Sequence, residues 1–297
     1  MRILVTGSSG RVGRAICVRL LREHEVIGLD RAPSSTAQIV GNVGDAALLR
    51  GALRGVDAIV HTAALHAPHV GRAPEAEFER INVQATKTLA TLAAEAGITR
   101  FVFTSTTALY GQAATPADRA GWVDEDLVAQ PQTVYHRSKV AAEAALEEIA
   151  AQSALAVTVL RMSRCFPEPA PLMAAYRLHR GVDARDVAEA HALALQQKQP
   201  GLRRFVVSGA TPFGADDLDD LLRDAPAVLA RRAPELVEAF ARRNWSLPAS
   251  IDRVYSPASA IRGLGWQPRF GFAEVLKMLD DESAEVLPPR LQWSARE

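Results

Sequence analysis

The 297-residue chain has no surplus of either charge, since 34 Lys and Arg balance 34 Asp and Glu. A dedicated nucleic-acid binder needs clustered excess cations to neutralise phosphates, so that class is disfavoured. No run of about 20 uncharged apolar residues exists, which excludes a spanning helix, and no membrane is expected as a partner. Cysteine is scarce, and Cys17 and Cys165 cannot frame a disulfide-stapled scaffold. No His, Cys and Asp grouping has zinc-ligand spacing, so no metal is expected. The amino end runs straight into Ile3-Leu4-Val5 without the charged and apolar regions of a leader. A reduced, cytoplasmic setting is the expected one. What remains is an ordinary globular balance of 48% hydrophobic and 23% charged residues. An enzyme acting on a small molecule is the leading class.

Short β-branched runs alternate with helical patterns through the first half. Strands are expected at Arg2–Thr6, Glu25–Asp30, Asp57–Thr62, Arg100–Ser105 and Ala156–Arg161, with a short one before Asn42. Helices are expected at Gly13–Glu23, Ala46–Leu53, Glu77–Ala96 and Tyr135–Gln152. Strands apolar on both faces, separated by helices, predict an α/β doubly wound parallel sheet with its ligand crevice at the strands' carboxyl ends. The second half is less regular. Cys165–Arg180 is proline-rich without a clear period, Ala184–Gln197 reads as a helix and Arg203–Ser208 as a strand. Further helices are expected near Ala215–Asp224, Pro234–Asn244 and Phe272–Asp281, and Pro288-Pro289 marks a loose tail. We expect a dinucleotide-binding Rossmann domain over residues 1–163. A small substrate lobe would occupy residues 164–297, interleaved with the end of the sheet.

The turn Gly7-Ser8-Ser9-Gly10-Arg11-Val12-Gly13 joins a strand to a helix. Glycine at 7, 10 and 13 permits a tight turn, and a pyrophosphate can approach bare backbone at the positive helix end. The second strand ends in Asp30, whose carboxylate suits both adenosine ribose hydroxyls and repels a 2′-phosphate. NAD is therefore the expected cofactor, although Arg31 beside it could greet that phosphate. Tyr135 and Lys139 stand at i and i+4, hence on one helix face. A phenol of pKa near ~10 is a poor base at neutral pH. A fixed ammonium beside it stabilises the phenolate. The Thr104–Thr107 hydroxyl cluster ends a strand and can hold the reacting oxygen.

These residues together resemble the extended short-chain dehydrogenase/reductases, the NAD-dependent epimerase/dehydratase family. The resemblance runs through Gly7, Gly10, Gly13, Asp30, His61-Thr62-Ala63-Ala64, Asn82, Thr106 with Tyr110-Gly111, Tyr135, Ser138 and Lys139. It continues at Arg161, at Asp186-Val187-Ala188 and at Leu264-Gly265-Trp266-Gln267-Pro268. It implies Thr106, Tyr135 and Lys139 as catalytic residues. It implies a cofactor site of Gly7, Ser9, Gly10, Arg11, Val12, Gly13, Asp30, Asn42, Val43, Ala63, Ala64, Asn82, Tyr135 and Lys139. Asn42 stands where the family usually has Asp, and its amide carbonyl can accept from the adenine amine. The alanine-rich helices at Glu77–Ala96 and Tyr135–Gln152 resemble the family's four-helix homodimer interface.

The substrate end departs from the nucleotide-sugar members. Arg161-Met162-Ser163-Arg164 places arginine where they carry asparagine, and only a short segment follows before Asp183. Arg161, Phe166 and Met173 resemble uronate dehydrogenases instead, yet Leu172 stands where those carry a carboxylate-clamping arginine. His66, Thr107, Arg164 and Phe166 are the candidate substrate contacts, with Arg164 either meeting an anion or pairing with Glu168. The expected function is NAD-dependent hydride transfer at a secondary alcohol or ketone of a small sugar-like or acidic molecule. A nucleotide-sugar 4-epimerase or dehydratase with tightly bound NAD is the alternative. A non-catalytic NAD-binding regulatory protein is the reading from another class.

Overall fold

Alternate residues of the first strand, β1 (Arg2–Thr6), enter different hydrophobic cores: Ile3 and Val5 on one face, Leu4 on the other. Both faces of β1 are therefore covered, which is the condition of a parallel sheet packed between helices. The computed structural model describes residues 1–289. Its seven-stranded sheet adds β2 (Glu25–Asp30), β3 (Ile39–Val40), β4 (Ala58–His61) and β5 (Arg100–Thr106). The short β6 (Gly121–Val123) stands apart, and β7 (Ala156–Met162) and β8 (Gly201–Val207) complete the sheet. The strand order is β3-β2-β1-β4-β5-β7-β8, and every pairing is parallel. The order reverses direction between β1 and β4, so the loops leaving these strands diverge and open a crevice.

One face is covered by α1 (Arg11–Leu20), with Ile16, Cys17 and Leu20 buried against Ile3, Val5 and Val60. The other carries α2 (Ala46–Ala52), followed by a helical run in three parts: α3 (Glu75–Phe78), a π-helical turn over Glu79–Gln84, and α4 (Ala85–Glu95). The single helix expected over Glu77–Ala96 is thus interrupted. The wider turn rotates Asn82 inward, where its side chain bonds the Leu65 backbone and Ser138. Next on this face is α5 (Val134–Ala151), capped by Thr133, whose Oγ1 accepts from the His136 amide at 3.2 Å.

The proline-rich stretch is more ordered than its composition suggests, since α6 (Ala170–Tyr176) starts after Pro169 and buries Met173 and Ala174. Pro171 lies in the first turn, where a missing N–H costs nothing. Asp183 caps α7 (Ala184–Ala194), which returns to the α1 face of the sheet. Then come α8 (Leu218–Arg223), α9 (Ala225–Arg232), α10 (Pro234–Arg242), β9 (Arg253–Tyr255), α11 (Ala258–Leu264) and α12 (Phe272–Asp280). The periodicity over 215–224 and 234–244 left α9, α11 and β9 unread. β6, which precedes α5 in the chain, pairs with β9. A separate apolar core joins Ala120, Met173, Phe213, Leu236, Phe240, Val254, Val275 and Val286.

The two carboxyl-half motifs noted above clasp one another. The Asp186 carboxylate accepts from the Arg269 and Phe270 amides at 2.9 and 3.0 Å, and its carbonyl accepts from the fully buried Trp266 indole at 2.9 Å. The chain is held in place up to Leu287, and the tail expected beyond Pro288-Pro289 lies outside the described residues. Leu287 exchanges backbone hydrogen bonds with Glu168 and Ala170, Val286 is buried, and Glu285 pairs with Arg11.

Candidate active site

Gly7 has φ +74° and packs so closely on the next strand's loop that a Cβ would lie 2.5 Å from Thr62 Oγ1. A Cβ on Gly13 would overlap the Gly7 carbonyl, so both positions need glycine for backbone reasons. Gly10 differs: a Cβ there meets protein only at 3.4 Å, and the residue lines a cavity at the start of α1. The first turn of α1 holds no acidic residue, and no side chain caps it. Its amides and the positive end of its dipole are left for an anion.

The cavity, of about 620 Å³, runs along the carboxyl ends of the central strands. Gly7, Gly10, Arg11, Val12, Gly13, Asp30, Arg31, Asn42, Val43, Ala63 and Ala64 line one part of it. Asp30 is held by its own loop, accepting from the Ser9 amide at 3.0 Å and the Ala32 amide at 2.9 Å. Asn42 Oδ1 accepts from the Gly44 amide at 2.8 Å, which fixes the side chain and leaves one lone pair for an adenine amine. Glu77 and Arg80, joined at 2.8 Å, also line this part.

Thr106, Tyr135 and Lys139 meet in the other part of the cavity. Thr106 ends β5, and its Oγ1 accepts from the Ala108 amide at 3.1 Å, starting a tight turn that closes at Gly111 with φ +54°. Tyr135 is 8% exposed, and burial pushes its phenol up to about 12 against the opposing pull of the Thr106 hydroxyl. Lys139 is 3% exposed, and burial pushes its ammonium down to about 8 while Glu143 acts the other way. Lys139 Nζ donates to the Thr104 carbonyl at 2.8 Å and lies 4.4 Å from the Phe103 ring centroid. At neutral pH the pair is a protonated phenol beside an ammonium.

Two residues expected at the cofactor, Asn82 and Ser9, are engaged in hydrogen bonds within the protein. Asn82 is buried away from the cavity and ties Leu65 N and O to Ser138, whose hydroxyl donates to the Tyr135 carbonyl at 2.9 Å. It ties the tyrosine's helix turn to the Leu65 loop. Ser9 turns its hydroxyl to the Ala32 carbonyl at 2.6 Å and its amide to Asp30, so it shapes the turn from outside the cavity. His61 is likewise internal, with its ring nitrogens on Thr6 Oγ1 and Thr86 Oγ1 at 2.6 and 2.9 Å.

The face of α5 carrying Tyr135 and Lys139 continues to Glu143, a residue sequence reasoning missed. Its carboxylate accepts from Ser105 at 2.6 Å, from Arg161 at 2.7 Å and from Arg204 at 3.1 Å. Arg161 also donates to the Tyr110 hydroxyl at 2.9 Å. The i+4, i+8 spacing was the available signal.

His66, Thr107, Arg164 and Phe166 all line the cavity, and His66 stacks on Phe166 with ring centroids 6.0 Å apart. His69 is not among the lining residues and packs edge-on against His66. Arg164 pairs with Glu168, the second of the two readings above. Leu172 is 39% exposed and does not line the cavity. Cys165 lines it as a buried neutral thiol pushed up to about 11 by burial. Arg180, just after α6, and Arg253 and Tyr255 of β9 complete this end, and the last two escaped the sequence reading because a three-residue strand carries no periodic signal. Among the described residues, no group of His, Cys, Asp or Glu could hold a metal ion, and no helix is long and apolar enough to cross a membrane.

The chain is 36% identical over 115 residues to a 3-beta-hydroxysteroid dehydrogenase of Mycolicibacterium neoaurum, covering 35% of this chain and 31% of that protein. The chain thus spans about a third of that relative's length. It is 33% identical over 129 residues to a UDP-glucose 4-epimerase of Klebsiella pneumoniae, covering 37% of this chain and 93% of that one. A solved structure of a short-chain dehydrogenase/reductase superfamily protein from Agrobacterium tumefaciens with bound NAD superposes with a TM-score of 0.71. The two share 21% identity over 93% of this chain and 95% of that one, which shows the fold. Residues 3–170, more than half of the sequence, match the NAD dependent epimerase/dehydratase family, and the chain belongs to it.

Proposed function

We propose that the protein is an NAD-dependent oxidoreductase acting at a secondary alcohol or ketone of a compact, polar substrate. One observation carries the reading: Thr106, Tyr135 and Lys139 line the same cavity as Gly10, the open start of α1 and Asp30. The residues fit a dinucleotide. Gly10 and the uncapped first turn of α1 would hold its pyrophosphate, and the Asp30 carboxylate its adenosine ribose. Val43 and Asn42 would flank the adenine, and Lys139 the nicotinamide ribose. NAD, when bound, would supply the hydride acceptor or donor.

The chain's own part is proton handling. Tyr135, neutral at pH 7 with a phenol raised to about 12, is ready to donate to a ketone oxygen. In the opposite direction it must lose its proton, and the Lys139 ammonium then stabilises the phenolate by charge. Thr106 Oγ1, fixed by the Ala108 amide, orients the substrate oxygen toward the phenol. The phenyl wall of Phe103 and the buried β5 end keep water from the ammonium.

A nucleotide-sugar epimerase is the second reading, favoured by the similarity to the Klebsiella pneumoniae enzyme. Tyr135→Phe keeps the ring and deletes the proton donor, so turnover should fall by roughly 10²–10⁴-fold. NAD affinity, read by fluorescence titration, should stay within about twofold. Turnover equal to wild type would overturn the mechanism.

A further inference from the structure

The cavity changes its charge along its length. Its lining carboxylates among the described residues are Asp30 and Glu77, the first at the glycine turn and the second beside Arg80 and Gly44. The part beyond Tyr135 is lined by Arg164, Arg180 and Arg253 and by no Asp or Glu. The acids that pair with these arginines, Glu168 and Asp252, do not line the cavity.

These pairings leave one guanidinium in excess. Glu168 is taken by Arg164. Asp252 is taken by Arg253 in a two-pronged contact, Nε to Oδ1 at 3.1 Å and Nη2 to Oδ2 at 2.6 Å. Arg180 reaches that same Asp252 only at 3.5 Å, and its Nε is buried without a partner. Its plane is nonetheless fixed: the guanidinium lies 4.2 Å from the Tyr176 ring centroid, and Nη2 donates to the Tyr176 hydroxyl at 2.6 Å. A fixed guanidinium whose Nη1 reaches Asp252 only at 3.5 Å keeps donor capacity for a planar or tetrahedral oxyanion. The buried Ser163 hydroxyl, also lining the cavity and without a partner, adds a donor or acceptor nearby.

Its position relative to the chemistry follows from the sheet. Met162 pairs with Thr106, and two residues later the Arg164 amide donates to the Arg180 carbonyl at 3.0 Å. The arginine wall therefore begins just past the residues that hold the reacting oxygen.

We propose that Arg180, flanked by Arg164 and Arg253, binds a carboxylate or phosphate group of the substrate, which is a compact anion and not a nucleoside diphosphate conjugate. This rests on the reading above for which end of the cavity receives substrate. The NAD-loaded protein is titrated calorimetrically with glucose, glucuronate, glucose 6-phosphate and UDP. The first three differ only in the group at one carbon. At least one of the two sugar anions should bind 10-fold or more tighter than glucose and tighter than UDP. The tighter of the two tells carboxylate from phosphate. Arg180→Gln should abolish the preference while leaving NAD affinity and the circular dichroism spectrum unchanged. Equal affinities for the three sugars, binding by neither anion, or a tighter UDP each overturn the proposal. So does a preference that survives in Arg180→Gln. The wild-type comparison decides the matter even if the variant does not fold. The test is also separate from catalysis, because Tyr135→Phe should keep the anion preference, which would stand even if no alcohol were oxidised.

Discussion

Replacing Glu143 by Gln keeps the side-chain volume and removes one buried charge. The carboxylate is 4% exposed and its partner Arg161 is 10% exposed, so neither is compensated by water. Arg204, at 26%, can still turn toward solvent. Removing one member of a buried pair costs about 3–5 kcal/mol, because the remaining charge stays desolvated. An unfolding entropy of roughly 2.1 cal/mol/K per residue gives about 0.6 kcal/mol/K for a chain of this size. The melting temperature of Glu143→Gln should therefore fall by roughly 5–8 °C, measured by circular dichroism at pH 7.5. The companion Glu143→Gln/Arg161→Met removes both charges and should recover most of that loss. Catalysis carries a second signature. Glu143 raises the Lys139 ammonium against burial, so its loss should move the lysine's limb of the pH–rate profile to lower pH. A loss under about 2 °C, or a double variant less stable than the single one, would refute the buried-pair argument.

Asp30→Ala deletes the acceptor proposed for the adenosine ribose and the charge that faces a 2′-phosphate. The ratio of NADP to NAD dissociation constants should drop, and a wild type that already prefers NADP would assign the specificity to Arg31. Burial pushes His61 down to about 3 and His179 and His191 down to about 4. The unfolded chain, with histidines near ~6.5, binds more protons between that pH and about 4, so stability should fall as pH drops through this window. A melting temperature unchanged from pH 7 to 5 would contradict it. We expect a homodimer in sedimentation at micromolar concentration, joined through α4 and α5, where Ala141 and Ala144 leave a small-residue surface exposed. A monomer there would remove the expectation.

The central sheet was readable because its strands are apolar on both faces, a pattern Ile3-Leu4-Val5 and Phe101-Val102-Phe103 state locally. Tyr135 and Lys139 were readable because one helix sets their spacing. Other features were written in distances between segments. Arg253 enters the cavity from a strand of three residues that exists only because β6 lies beside it. The sequence places Asn82 in a helix but does not state where its side chain points. The π-helical turn that points it at Leu65 depends on contacts with residues 17 and 56 positions away. The balance between Arg164 and Glu168 was open in the sequence, since an i,i+4 pair and an anion compete for the same guanidinium.

The clasp between Asp186 and the Arg269–Phe270 backbone has a temporal consequence. Its partners are 83 and 84 residues apart, and closing such a span costs chain entropy before any contact repays it. During synthesis, α7 leaves the ribosome long before Trp266 exists to cover it. Its α1 side, with Val187 and Ala188, can pack at once, while the part that Trp266 covers waits for its partner. Closure of the clasp therefore comes only after the chain has reached Phe270, and it fastens a face whose α1 side is already complete.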